Sequence, residues 1–447
     1  MTRHGNGVVA ECPPARGRCI AAVSIGLIAA ALALSTGCSR MEGGPSESAK
    51  RPPTGEGRHA PAAAPTADPK DVAAAQELLR RLGERATGRV DSAGRLVEIV
   101  IRDGAPLTAD DFALFGRLTD LRTLQIFNCR ELDDDDAARL APLKHLTSLA
   151  LTNSTISDVT VEMIAQSFPE LEVLDLSSNT NMSNGAMKTI CTLRRLKRLT
   201  LVQNRFNDLG TLHLEKLERL EFLDLRGNME AGDMTLSVVG RLPALRAFKH
   251  RSTTVTDAGI ESLSQSRTLK ALLMQDFLIT GEAGRHLAAM KSLQELEIFR
   301  CPSFGSDGVI ALKGMPLTRL QLRDLPMVDD QAMEVFDELP KLKRLYLHEN
   351  DSISDDGLQH LAHLKELEII DLWALPQVGD GTIEVLAGLP KLRELSIRTT
   401  GVTDAAVDTI LRMKQLESLT FRDNGQVSPD AVKKLSKRSW KKLDLGQ

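Results

Sequence analysis

Aromatic side chains are nearly missing from this 447-residue chain: they make up 3% of it, with one Tyr and two Trp. A large core must therefore be built from Leu, Ile, Val and Ala. An excess of either charge is missing too. Lys and Arg number 56 against 60 Asp and Glu, a formal net charge of -4, which excludes the basic balance of a general nucleic-acid binder. Six Cys in this length exclude a disulfide-dense miniprotein. A single long apolar run excludes a polytopic membrane protein. No GxxxxGK[ST], GxSxG, HExxH, CxxC or EF-hand loop occurs, so the sequence offers none of those phosphate, nucleophile or metal signatures. What remains is 42% hydrophobic and 26% charged, the balance of a globular chain.

The apolar run opens the chain. Arg3, Arg16 and Arg18 precede CIAAVSIGLIAAALAL, residues 19–34, and Ser35-Thr36-Gly37-Cys38 follows. A basic start, an apolar stretch and small residues describe an export signal rather than part of a fold. The small residues ending at a Cys resemble the lipobox of bacterial lipoproteins, with Leu34 one place earlier than that family prefers. The resemblance implies a signal peptide over 1–37 and a lipidated Cys38, and Ser39 implies outer-membrane sorting. An uncleaved anchor helix over 19–37 and simple secretion are the alternatives. All three place the remainder outside the cytoplasm, and the lipid-anchored reading places it in the cell envelope, at the outer membrane or in the periplasm. Residues 38–67 are rich in Pro, Ala, Gly and Ser and lack periodicity, which predicts a flexible tether.

From residue 96 one nonapeptide recurs, L-x-x-L-x-L-x-x-N. It reads LEVLDLSSN from Leu171, LKRLTLVQN from Leu196, LEFLDLRGN from Leu220, LKRLYLHEN from Leu342 and LESLTFRDN from Leu416. First-position anchors fall at 96, 121, 146, 171, 196, 220, 245, 269, 293, 317, 342, 367, 392, 416 and 440, at intervals of 24 or 25. The second half of each unit, as in VTDAGIESLSQS, places Ser, Thr or Asp before a helical apolar spacing, an N-cap followed by a helix start. Each unit supplies a strand, a turn and a helix, and only stacking buries its apolar face.

The pattern resembles the leucine-rich repeat family, in its longer, helix-bearing, ribonuclease-inhibitor-like subclass; no F-box is found. The resemblance implies an α/β solenoid, a horseshoe with parallel strands on the concave face and helices on the convex face. About 15 repeats span 96–447. Residues 68–95 form an N-terminal capping region, with an amphipathic helix starting at Asp71 and stopping at Gly83. Asn179, Asn204, Asn228, Asn350 and Asn424 share the ninth position and form a ladder with neighbouring backbone. Cys129 and Cys301 replace Asn there as core residues, and no disulfide is expected among them and Cys191. The C-terminal end shows no cap; either Trp440 shields it or a second protomer covers it.

Three polar clusters stand out. Asp133–Asp136 falls where a helix starts, so helix capping is favoured over a cation. His360 and His363 lie three apart without a visible third ligand, so no metal or cofactor is assigned. His250 is the one polar residue at a sixth, core-facing position, which predicts either a buried, hydrogen-bonded imidazole or a local break in the solenoid.

Alternate strand residues share a face, so the fifth and seventh positions point outward on the concave side. The C-terminal repeats there carry Phe299, Arg323, Tyr346, His348, Asp371, Trp373, Arg398 and Arg422. Tyr, Trp and Arg dominate binding hot spots, and these eight are the candidate partner-binding residues. Thr152, Ser177 and Val202 in the N-terminal repeats are small and weakly adhesive. Both charges intersperse along the face, favouring a protein or peptide over a polyanion. The sequence thus predicts a non-enzymatic recognition scaffold, membrane-tethered through Cys38. A structural protein that self-associates through its C-terminal end is the alternative.

Overall fold

The protein is seen in a computed structural model that describes residues 66–446. The signal segment 1–37, Cys38 and the tether to residue 65 lie outside the described residues. One sheet of sixteen strands runs in strict sequence order, each strand beside the next in the chain. Equivalent residues pair in register, as Leu296 with Leu320 and Leu320 with Leu345. Leu at the first, fourth and sixth positions faces inward and is fully buried, so the period of the sequence becomes a continuous apolar spine. A helix or 3-10 segment returns the chain along the opposite face in every repeat from 109 to 435. The α/β horseshoe solenoid is therefore the fold.

The sheet is not wholly parallel. Strand Ala86–Val90 pairs antiparallel with Leu96–Ile101, inside the region read as a capping helix alone. Its exposed face gives it no clear alternation to read. Helix Pro69–Leu82 does cover the N-terminal end: Asp68 caps it, Ala75, Leu78 and Leu82 are buried, and Gly83 ends it at φ 58°. At the other end Trp440 packs against the core and donates Nε1 to Leu435 O at 2.7 Å. The Arg438 guanidinium lies 4.1 Å from that ring centroid and donates to the carbonyls of Ile410, Met413, Lys414 and Leu416. The last strand, Lys442–Asp444, is short and charged, which blunts the edge.

Two polar ladders bind repeat to repeat. In the first, buried Asn179 donates Nδ2 to Leu151 O at 2.8 Å and Leu176 O at 3.0 Å. Asn228 does the same to Leu201 O and Leu225 O and accepts from Phe206 N at 3.1 Å. Cys129 and Cys301 hold the ladder position as buried free thiols, pushed by burial up to about 11 and about 12. The second ladder runs along the helix starts. Asp233 receives both the N–H and the hydroxyl of Thr256, Asp257 those of Thr280, and Asp404 those of Ser428. Asp134 binds Ser157 and Thr160 in this way, and Asp133 accepts from Asp136 N as an N-cap. The acidic run is thus built into capping.

Replacing Asn228 by Ala strands buried backbone groups on three segments. Each buried group left without a partner costs about 1–3 kcal/mol, and Leu225 O keeps a second neighbour. We expect a loss of about 2–3 kcal/mol in denaturant unfolding, whereas a solvent-facing change such as Glu218→Ala stays within about 0.5 kcal/mol.

Candidate functional site

The concave face is built by in-register pairing of strands about 4.8 Å apart. Phe299 pairs with Arg323, Arg323 with His348, His348 with Trp373, Trp373 with Arg398, and Arg398 with Arg422. Seventh-position side chains thus form one row, and Tyr346 and Asp371 stand beside it in the fifth-position row.

Cations and rings share that row and contact one another. The Arg323 guanidinium reaches over His348, lying 4.4 Å from the Phe299 ring centroid and 5.1 Å from that of Trp373. Arg398 approaches Trp373 from the other side, also at 5.1 Å. His348 meets the rings of Trp373 and Tyr346 edge-on at 5.6 and 6.1 Å. Arg319 lies 4.9 Å from the Tyr346 ring. Carboxylates fix the cations from behind. Asp371 receives Arg398 Nη2 at 2.8 Å, and Glu349 receives Arg323 Nε at 2.8 Å. Burial pushes the Asp371 carboxyl up, but neighbouring His348 and Arg398 outweigh it and hold it below the usual range.

Seven of the eight candidate residues therefore form one network. Arg422 stands apart, paired with Asp444 of the last strand. It lines, with Tyr346, Asp371 and Arg398, a cleft of about 300 Å³. The side chains are less free than an exposed strand face implies: Tyr346 and Trp373 are half-buried, and His348 is buried at 8% exposure. The expectation of solvent-facing anchors is corrected to a prepacked platform, because the Phe299, Tyr346 and Trp373 rings are each covered by a neighbouring strand's Arg.

A larger cleft, about 810 Å³, opens in the N-terminal repeats, lined by Phe127, Asn128, Thr152, Asn153, Asp175, Ser177 and Gln203 among others. Sequence reasoning passed over it because its residues are small. That smallness is what leaves room. Its edge carries Asn128, Asn153, Ser178 and Gln203, all at φ between 53° and 61°. This left-handed eighth position recurs in every repeat anchored from 121 to 416 except the one holding Ser252, with Gly227 taking it once.

Ser396 hydrogen-bonds to Asp371 rather than to an imidazole, and His348 is enclosed. His250 is fully buried, and the strand around it, Ala247–Arg251, is paired on both sides, so the solenoid does not break there. His360 and His363 do have a third neighbour, contrary to the sequence reading: Asp337 of the preceding repeat lies 2.9 and 2.8 Å from their Nδ1 atoms.

A family model for the leucine-rich repeats of FBD-associated F-box proteins matches residues 96–275, and a Leucine Rich repeat model matches 338–362. The chain carries leucine-rich repeats over those segments and has the leucine-rich-repeat fold. It is 27% identical over 252 residues to a Transport inhibitor response 1-like protein of rice, Oryza sativa subsp. japonica, covering 52% of this chain and 44% of that relative. The chain thus spans less than half the length of that curated relative. Among solved structures it is similar to an internalin from Listeria monocytogenes, with TM-score 0.50 and 20% identity, covering 78% of this chain and 94% of that one. It is also similar to a chain of the Rad7 and Elc1 complex of yeast, with TM-score 0.52 and 17% identity, covering 70% and 83%. These likenesses establish the fold. Among the described residues no helix is long and apolar enough to cross a membrane.

Proposed function

We propose that this leucine-rich repeat protein is a non-enzymatic recognition scaffold that binds a protein or peptide across the concave face of the repeats anchored at 293 to 416. The observation that carries this reading is the Trp373 clamp. A Trp, the one Tyr, a Phe and three Arg are gathered on adjacent strands and fixed in place before any partner arrives. Preorganised aromatic and Arg anchors lose little conformational entropy on binding. The polar surround of Asp371, Glu349 and Gln321 suits a mixed peptide surface better than a polyanion.

The second half of the reading is the address. The lipobox-like sequence at 35–38 supports lipidation of Cys38 and attachment to the cell envelope, with the segment after it as a spacer. Several acyl chains on one Cys suffice for stable anchoring. Self-association through the C-terminal end has less support, since Trp440 and Arg438 already dress that end.

A paired experiment tests both halves. The full chain is expressed in an exporting bacterial host, and cross-linked partners are recovered and compared with those of a Tyr346→Ala/Trp373→Ala variant. Loss of the partner with little change in melting supports the concave site; equal recovery overturns it. Separately, Cys38→Ala moves the protein from the membrane fraction to the soluble fraction. Unchanged fractionation would remove the lipid anchor.

A further inference from the structure

Asp337, His360 and His363 meet on the convex face, on the opposite side of the solenoid from the Trp373 platform. His360 and His363 close a 3-10 segment, Gly357–His363. Residues three apart eclipse in a 3-10 helix, so the two imidazoles stand one above the other. Asp337 lies in the neighbouring 3-10 segment Asp330–Glu338, one repeat earlier, and these two segments pack side by side. One carboxylate oxygen, Asp337 Oδ1, faces both Nδ1 atoms, at 2.9 Å from His360 and 2.8 Å from His363. One ligand atom from each of the three residues fits within a 4.8 Å span, the one such group of three found among the described residues.

The alternative arrangement is a pair of hydrogen bonds. It requires each imidazole to carry a proton on Nδ1, in the neutral tautomer or as the imidazolium, and to share one oxygen. A cation at the same point satisfies both lone pairs and the carboxylate together. Tetrahedral bonds of about 2.1 Å put adjacent ligand atoms about 3.4 Å apart, so metal capture opens the two N···O distances by about half an ångström from 2.9 and 2.8 Å. Two imidazoles with one carboxylate suit a borderline divalent transition metal; Ca²⁺ and Mg²⁺ prefer oxygen donors throughout. His363 is 61% exposed in its side chain, so the point is open to metal from solution.

We propose that Asp337, His360 and His363 form a divalent transition-metal site, of the kind filled by Zn²⁺, that staples two adjacent repeats on the convex face. Three protein ligands leave at least one coordination position for water or for a donor atom from outside the chain. Because the ligands come from two repeats, metal binding favours the stacked form over one in which those repeats separate.

The test uses the full chain, untagged, with ZnCl₂ alone as the probe. Calorimetry is expected to show one saturable site per chain with micromolar affinity and a Zn²⁺-dependent rise in unfolding temperature. His363→Ala and the near-isosteric Asp337→Asn each weaken binding at least tenfold, since even outer-shell changes cost about 10–100-fold. His213→Ala and His286→Ala, remote controls in other repeats, leave it unchanged. Co²⁺ in place of Zn²⁺ gives a visible absorption band that His360→Ala/His363→Ala abolishes. Circular dichroism verifies that each variant is folded, and Asp337→Asn keeps the test valid if a His variant is not. Absence of saturable Zn²⁺ binding in the wild type, or equal binding in wild type and Asp337→Asn, overturns the proposal.

Discussion

His250→Ala lowers stability by about 3–4 kcal/mol, and the wild-type chain loses stability as pH falls below about 6.5. The cause is an unusual repair of the asparagine ladder. The repeat anchored at Leu245 has Thr253 where ladder repeats have Asn, and it alone among its neighbours lacks the left-handed eighth residue. His250, from the sixth position, fills the gap. Its Nε2 lies 2.8 Å from Ala231 O, and its Nδ1 lies 3.2 Å from Leu225 O. The ring stacks on Phe248 at 5.6 Å and meets Phe277 edge-on at 5.6 Å. Truncation to Ala leaves a ring-sized void, and aromatic truncations in cores cost about 3–5 kcal/mol. Ala231 O also loses the imidazole, a further share of the cost. Because each repeat contacts only its neighbours, the damage falls mid-array and weakens the coupling of the two halves.

The acid sensitivity has a defined sign. Burial pushes the His250 imidazole below its ordinary value, and its two carbonyl contacts recover only part of that shift. The neutral ring holds one proton, and the shorter contact places it on Nε2; Leu225 O already receives Asn228 Nδ2 at 2.9 Å. In the unfolded chain the same imidazole takes up a proton near pH 6.5. Between that pH and the depressed folded value the unfolded state binds more protons, so stability falls as pH falls. Above pH 7 the contribution is constant. Denaturant midpoints from pH 7.5 to 5 are expected to decline in wild type and to decline less steeply in His250→Ala. Parallel slopes would show that this imidazole titrates alike in both states.

The repeat architecture was legible because its signal is redundant: Leu at three positions, recurring every 24 or 25 residues, survives exceptions such as His250 and Trp440. The exceptions themselves were less legible. Strand Ala86–Val90, ATGRV, buries only its first residue, so no alternation marks it. Asp337 is remote in sequence from His360, and only the stacking of two 3-10 segments reveals their meeting. The N-terminal cleft is made by side chains that are absent in bulk, and missing volume leaves no motif. At the concave face the row of large residues was readable from strand alternation. Its internal clamps were not, because Arg323 passes over an intervening strand to reach Trp373.

That clamp sets the expectation for Trp373→Ala: partner affinity falls about 30- to 1,000-fold, the range of about 2–4 kcal/mol typical of a central aromatic hot spot. Melting falls by only a few degrees. Trp373 is half-buried on the strand face, away from the Leu spine, and its two Arg contacts are each worth about 0.5–2 kcal/mol. Arg398→Ala separates the two roles of the clamp. It removes one face of the Trp373 sandwich and also strips Asp371 of its closest cation, leaving that carboxylate half-buried beside His348. Its effect on binding is therefore expected to approach that of Trp373→Ala, and the double variant to cost less than the sum, because one platform is lost twice. A coupling of about 1 kcal/mol or more between positions 373 and 398, measured by titrating each of the four proteins with the recovered partner, identifies the stack as a unit. Simple additivity would mean that partner contacts at Trp373 and Arg398 are separate, and the prepacked platform would not be what the partner reads.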